Sequence, residues 1–161
     1  MILNTEFSKI DHIAIAVRCL KSSIQYYTET LGFRLDVTRE TKGEYSGMRS
    51  AVLWSGDFSI VLLEAIGEKS QIARFIDEFG PGVQHVAFQV EKIDEVRESL
   101  LARGVEFSTN IIQGAGLKQM FTHRDVNSGM MFEYIERVGE SDFNEDSINE
   151  LFKQLESQNA Y

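Results

Sequence analysis

Twice in this chain apolar residues alternate with polar or small ones around a histidine, in IDHIAIAV (Ile10 to Val17) and VQHVAFQV (Val83 to Val90), the signature of a half-buried strand. The histidines lie 73 positions apart, 12 to 85. After each strand the pattern changes to an amphipathic helix, about Leu20 to Thr30 and about Ile93 to Arg103, and each helix meets a glycine, Gly32 or Gly104, suited to a left-handed cap. Three strand-like stretches follow in each copy: FRLDVTRE, SGMRSAVLWS and FSIVLLEA, then GVEFSTNII, LKQMFTHR and MMFEYIER. The chain thus reads as two βαβββ modules, 8–66 and 82–137. Between them a helix over 70–80 is predicted to start on Ser70 as N-cap and stop at Gly80. Ile148, Leu151, Phe152 and Leu155 form one stripe of a further helix over 144–158, expected to pack back on the domain. The expected fold is α+β, one domain over 1–161 in which the paired modules join curved sheets into an incomplete mixed-sheet barrel.

Such pairing brings matching module positions together. His12 and His85 occupy the same place on the first strand of each copy, and Glu133 lies on the last strand of the second copy, where an offset of 72 leads back to Val61. A lone strand histidine is usually an ordinary core or surface residue. Two of the three histidines at equivalent positions, with a glutamate inside the apolar run MMFEYI, are harder to explain that way. A buried unpaired carboxylate is costly, and a cation between the three side chains offsets that cost. Two imidazoles and a carboxylate suit first-row divalent metals, and with open positions they form the set associated with non-haem Fe(II) oxygenases. Zn(II), Mn(II) and Ni(II) fit the same donors. Glu or Gln at position 61 would have added a fourth ligand and favoured Lewis-acid chemistry, whereas Val61 favours oxygen chemistry. Glu64, three positions on, is expected to face away from the site.

Charge and composition narrow the alternatives. The 161 residues carry 16 basic and 25 acidic side chains, a formal charge of −9, which repels phosphate backbones and anionic membranes. The amino terminus lacks the pattern of a secretory leader, and no apolar run is long enough to span a bilayer. Cys19 is the single cysteine, so neither an internal disulfide nor a thiolate metal site is available. These features lead to an expectation of a cytoplasmic protein that binds a small molecule rather than nucleic acid or membrane, with a homodimer as the default assembly.

Five stretches, GPGVQHVAF, SGMRSAVLWS, LKQMFT, MMFEYIER and the tail DFNEDSINELFKQLES, resemble the vicinal oxygen chelate (glyoxalase/bleomycin resistance/dioxygenase) superfamily, and within it the C-terminal metal-binding half of the 4-hydroxyphenylpyruvate dioxygenase family. The resemblance implies Fe(II) held by His12, His85 and Glu133, with Ser50 and Gln119 as polar substrate contacts and Phe121 as an aromatic wall. It implies an Fe(II) dioxygenase acting on a small aromatic 2-oxo acid with O2, and a tail helix covering the mouth of the site. Three departures stand out. The family's additional N-terminal domain has no counterpart, no Asn stands near the end of VLLEAIG, and the loop carrying His123, Arg124 and Asp125 reads as a polar hairpin of unmatched length. Two alternatives follow from the same resemblance. One is a non-redox lyase or isomerase of the glyoxalase or methylmalonyl-CoA epimerase type, but the epimerase base should lie where Arg49 or Ser50 stands. The other is a metal-free protein that sequesters a small molecule such as an antibiotic.

Overall fold

A computed structural model describes residue 7 and residues 9–114 and 116–138 of the chain. The helix expected over 144–158 lies outside the described residues. In chain order the elements are β1 (Lys9–Ala16), α1 (Leu20–Gln25) widening into a π-helical turn (Tyr26–Thr30), β2 (Arg34–Lys42), β3 (Gly47–Ser55), β4 (Phe58–Ile66), α2 (Gln71–Phe79), β5 (Gly82–Gln89), α3 (Ile93–Ala102), β6 (Ile112–Gly114), β7 (Leu117–Phe121) and β8 (Met131–Arg137). All eight strands form one sheet in the order β2-β3-β4-β1-β5-β8-β7-β6. Each half therefore contributes four strands, and the halves join where β1 runs antiparallel to β5. The sheet is mixed, because β4 is parallel to β1 and β8 is parallel to β5. This is the α+β half-barrel expected of paired βαβββ modules.

Local chemistry explains the boundaries. Gly32 and Gly104 stand at φ 83° and 88°, a left-handed backbone that lets the chain leave each helix for the next strand. Ser70 caps α2 by accepting a hydrogen bond from the Ile72 amide at 3.2 Å. The second half departs from the sequence pattern at GVEFSTNII, where only Ile112–Gly114 forms a regular strand. Side chains there take over part of the ladder: the Phe121 amide donates to Thr109 Oγ1 at 3.0 Å, and Ser108 Oγ donates to the Thr122 carbonyl at 3.2 Å. Backbone pairing continues beside them, from the Ser108 amide to the Phe121 carbonyl and from the His123 amide to the Glu106 carbonyl. Ser and Thr favour such substitutions of side chain for backbone.

The loop after β7 is polar at its tip, where Asp125 accepts from Ser128 Oγ and from the Asn127 amide. Arg124 departs from the polar-hairpin expectation. Its side chain is buried, with the guanidinium 5.4 and 5.3 Å from the ring centres of Phe75 and Phe79 and 3.7 Å from Glu78.

Helices cover the sheet unevenly. On one face α1 packs Leu20 with Ala51, Leu53 and Leu62, while α3 packs Ile93, Val96 and Leu100 with Met120 and Tyr134. The opposite face of the first half clusters Ala14, Ala16, Met48, Val52, Val61 and Leu63 with Ile72, Phe75 and Ile76 of α2. Burial of each large side chain of this kind is worth about 1.5–3 kcal/mol, and these clusters surround buried His12, His85 and Glu133. Among the described residues, no helix is long and apolar enough to cross a membrane.

Candidate metal centre

Strand alternation puts His12 and Ala14 of β1 on the concave face, and the join with β5 sets His12 opposite Ala87 and Ala14 opposite His85. The same two rows run on to the flanking strands: Ala87 pairs with Glu133 of β8, and Ala14 pairs with Val61 of β4. A local two-fold axis between β1 and β5 thus relates His12 to His85 and Glu133 to Val61. Both halves of the arrangement come from one chain.

One nitrogen from each imidazole and one carboxylate oxygen lie within 4.8 Å of one another. Glu133 Oε2 is 3.1 Å from His12 Nε2 and 3.3 Å from His85 Nε2. The Glu133 side chain is only 1% exposed, and neither of its oxygens receives a hydrogen bond of acceptable geometry. A buried carboxylate facing two imidazole nitrogens with its own acceptor capacity unfilled is suited to a divalent cation, and the three donors fit that ion chemically.

The charges respond to this crowding. Burial pushes His12 down, but the Glu133 carboxylate and a hydrogen bond to Asp11 outweigh it and hold His12 up at about 9. His85, with less support from neighbouring charge, is pushed below the ordinary histidine value by burial. Burial would raise Glu133, yet the attraction of His12 prevails and holds the carboxyl below its usual range.

A second pair of residues orients the imidazoles. Asp11 is the extra residue of a bulge where β1 shifts register against β5 between Ile10 and His12, and Gln84 is the extra residue of a second bulge opposite Ala14 and Ile15. Simple alternation would send each away from the neighbouring histidine; the bulge instead brings Asp11 Oδ1 to 2.8 Å from His12 Nδ1 and Gln84 Oε1 against His85 Nδ1. With Nδ1–H donated to these oxygens, both Nε2 atoms face Glu133, the tautomer a metal ligand needs. Asp11 is held in turn by Arg137, whose Nε and Nη2 donate to Oδ2 and Oδ1 at 2.7 and 2.8 Å. Burial opposes the Asp11 charge, but the fork from Arg137 and the bond to His12 keep the carboxyl well below the usual range.

A cleft opens from the triad and is lined by His12, His85 and Glu133 together with Ser50, Gln119 and Phe121, the three residues singled out as substrate contacts, and by Val61. Phe121 pairs across the ladder with Glu133 and sets its ring edge-on to His85, 5.0 Å between centres. Ser50 pairs with Leu63, and Gln119 pairs with Ile135, 72 positions after Leu63, so Ser50 and Gln119 are themselves equivalent across the two halves. Glu64 lies away from the cleft and 3.6 Å from Arg49, as its position in the strand required. Sequence reasoning passed over Asp11, Gln84, Arg137, Met48 and Arg39. The one available signal was that Asp11 and Gln84 immediately precede the repeated histidines, and only the bulges give that adjacency meaning.

Comparisons with known proteins follow this geometry. Over 96 residues the chain is 38% identical to 4-hydroxyphenylpyruvate dioxygenase of Yarrowia lipolytica, a match covering 55% of this chain and 24% of that protein. Its fold superimposes on a mutant 4-hydroxymandelate synthase of Streptomyces coelicolor with a TM-score of 0.83 at 23% identity, over 94% of this chain and 54% of the other. Methylmalonyl-CoA epimerase of Mycobacterium tuberculosis superimposes with a TM-score of 0.70 at 29% identity, over 86% of this chain and 94% of that one. The chain therefore spans about a quarter of the matched dioxygenase and about half of the synthase. Residues 9–134 match the family model of the Glyoxalase/Bleomycin resistance protein/Dioxygenase superfamily, and the chain belongs to that superfamily.

Proposed function

We propose that this chain is a metal-dependent oxidoreductase that holds Fe(II) on His12, His85 and Glu133 and acts as a dioxygenase on a small 2-oxo acid. The observation that carries the reading is Val61. It occupies the two-fold counterpart of Glu133, so among the described residues three donors meet, and a metal held on them would have room for a two-oxygen substrate and O2. Bound there, the metal supplies Lewis acidity and a redox couple.

The protein's part is orientation and exclusion of water. Asp11 and Gln84 fix the imidazole tautomers, and the Glu133 carboxylate offsets the cation's charge. Val52, Val61 and Phe121 form an apolar wall that keeps bulk water from the reacting end of the cleft, while Ser50 and Gln119 offer polar contacts to the substrate. Aromatic 2-oxo acids are the first substrates to test, because the aromatic Phe121 lines the cleft and the 4-hydroxyphenylpyruvate dioxygenases are among the relatives.

A second reading, a non-redox isomerase, is favoured by the near-complete coverage of an epimerase. Against it, among the described residues no carboxylate lines the cleft besides Glu133. Oxygen separates the two readings. The experiment is to load the purified chain with Fe(II) anaerobically and follow O2 uptake and CO2 release with a panel of aromatic and aliphatic 2-oxo acids. Coupled uptake and release supports the dioxygenase; one bound metal per chain with no uptake, together with exchange of an α-proton in an acyl-CoA, supports the isomerase.

A further inference from the structure

Among the described residues, Arg39 is the only arginine or lysine lining the cleft. It lies on β2 opposite Ser50, between Val37, which packs into the apolar cluster of the concave face, and Thr41, which is buried. Alternation gives these three residues one face, so the Arg39 side chain is directed toward the cleft. Nearby carboxylates are already engaged elsewhere: Glu40 lies 3.3 Å from Lys42 and 3.4 Å from Arg49, and Glu64 lies 3.6 Å from Arg49. Among the described residues no acidic side chain pairs with Arg39. Arg39 is a half-buried residue beside apolar surface, and the flat fork of a guanidinium fits a carboxylate with two parallel hydrogen bonds.

The layout sets the shape of what would reach it. Three strand spacings separate β2 from β1, about 14 Å along the sheet and less across its concave face. Between the triad and Arg39 the cleft is lined by Met48, Val52, Val61 and Leu63, all apolar, with Ser50 beside Arg39. The two-fold counterpart of Arg39 is Ile112, which pairs with Gln119 as Arg39 pairs with Ser50 and is 3% exposed. Among the described residues, only the first half of the site therefore offers a cation.

We propose that Arg39 is a specificity-determining residue that receives a carboxylate at the end of the substrate remote from the metal ligands. The preferred class is then a 2-oxo acid with a second carboxylate across a short apolar spacer. The proposal deepens the function proposed above and rests on it for the 2-oxo end of the ligand; the second carboxylate rests on Arg39 alone.

The test uses the full chain loaded with redox-inert Zn(II) and measures binding by calorimetry. Pairs matched in length are compared: 2-oxohexanoate with 2-oxoadipate, and 2-oxooctanoate with 2-oxosuberate. At least one diacid should bind about tenfold or more tightly than its monoacid. In Arg39→Gln that ratio should collapse toward one, in Arg39→Lys it should partly recover, and in Arg49→Gln, on the other face of the sheet, it should persist. Metal content and near-ultraviolet circular dichroism establish that each variant is folded. The absence of a diacid preference at either length, or a preference that survives in Arg39→Gln, overturns the proposal. Adipate, which lacks the 2-oxo group, separates the two claims. If no 2-oxo acid binds through its 2-oxo end while adipate binds in an Arg39-dependent way, the 2-oxo reading fails and the carboxylate site stands; if adipate and the diacids all bind independently of Arg39, the site fails.

Discussion

The strand registers relate the two halves of the sheet position by position at the site, yet they carry different chemistry. Each presents a histidine on its first strand with a bulge residue holding the ring, but that residue is the anionic Asp11 in one half and the neutral Gln84 in the other. On the last strands Val61 faces Glu133, and Ala65 occupies the place of Arg137. On the outer strands Arg39 faces Ile112. Duplication thus supplies two converging imidazoles at no extra structural cost, and asymmetric substitution then gives the second half the buried carboxylate and the first half the cation. One consequence is that the two histidines differ: His12 sits between two carboxylates and is strongly basic, whereas His85 has only Glu133.

Making the halves alike is the most damaging change. Val61→Glu places a carboxylate at the counterpart of Glu133, so the chain should still hold one metal ion while 2-oxo-acid-dependent O2 uptake falls by about a hundredfold or more, because fewer open positions remain. Oxygen-electrode traces beside metal analysis check this, and undiminished uptake would remove Val61 from the account.

The unequal histidines predict the next effect, in pH. A ligating imidazole must be neutral, but in the metal-free protein His12 keeps its proton up to about 9. Metal uptake should therefore release one proton, and apparent affinity should rise about tenfold per pH unit toward pH 9 and level off above it. The stability linkage has the matching sign. A raised histidine stabilises the metal-free fold fully below its ordinary value of 6.5 and loses that contribution as pH rises through about 9. The metal-induced rise in Tm should accordingly grow between these values, which differential scanning calorimetry in paired buffers would show; a flat profile contradicts the basic His12.

Unequal orienting groups predict smaller, graded losses. Asp11→Asn should weaken metal binding about 10–100-fold, in the range seen when a carboxylate behind a ligating histidine is lost. Arg137→Ala should instead destabilise the fold by up to about 3 kcal/mol, because it leaves the buried Asp11 charge with His12 alone. Gln84→Ala removes only a neutral partner and should cost less than Asp11→Asn in metal affinity. Equal losses at positions 11 and 84, read by competition with a chelating dye, would mean that the charge of Asp11 contributes nothing.

Much of this was legible in the sequence because it is periodic. The repeat of 73 positions, the alternation around His12 and His85 and the glycines closing α1 and α3 led to the paired modules and to the counterpart position of Val61. What escaped was aperiodic. Asp11 and Gln84 stand one residue from a histidine, where strict alternation points them to the opposite face, and a bulge is a relation between two strands that neither strand shows alone. Arg39 is one of several charges in RLDVTRE, and only its register with Ser50 sets it over the cleft. The shortening of β6 follows from Ser108 and Thr109, whose side chains can bond like backbone, a competition that an apolar pattern does not register.

The central claim, that His12, His85 and Glu133 together form a divalent metal site, is tested most directly by metal stoichiometry. The chain and its Glu133→Ala variant, each stripped with chelator and reloaded with Fe(II) under anaerobic conditions, would be analysed by inductively coupled plasma mass spectrometry after desalting. The account predicts about one metal ion per chain in the parent and near none in the variant; no metal in the parent, or equal metal in both, would contradict it.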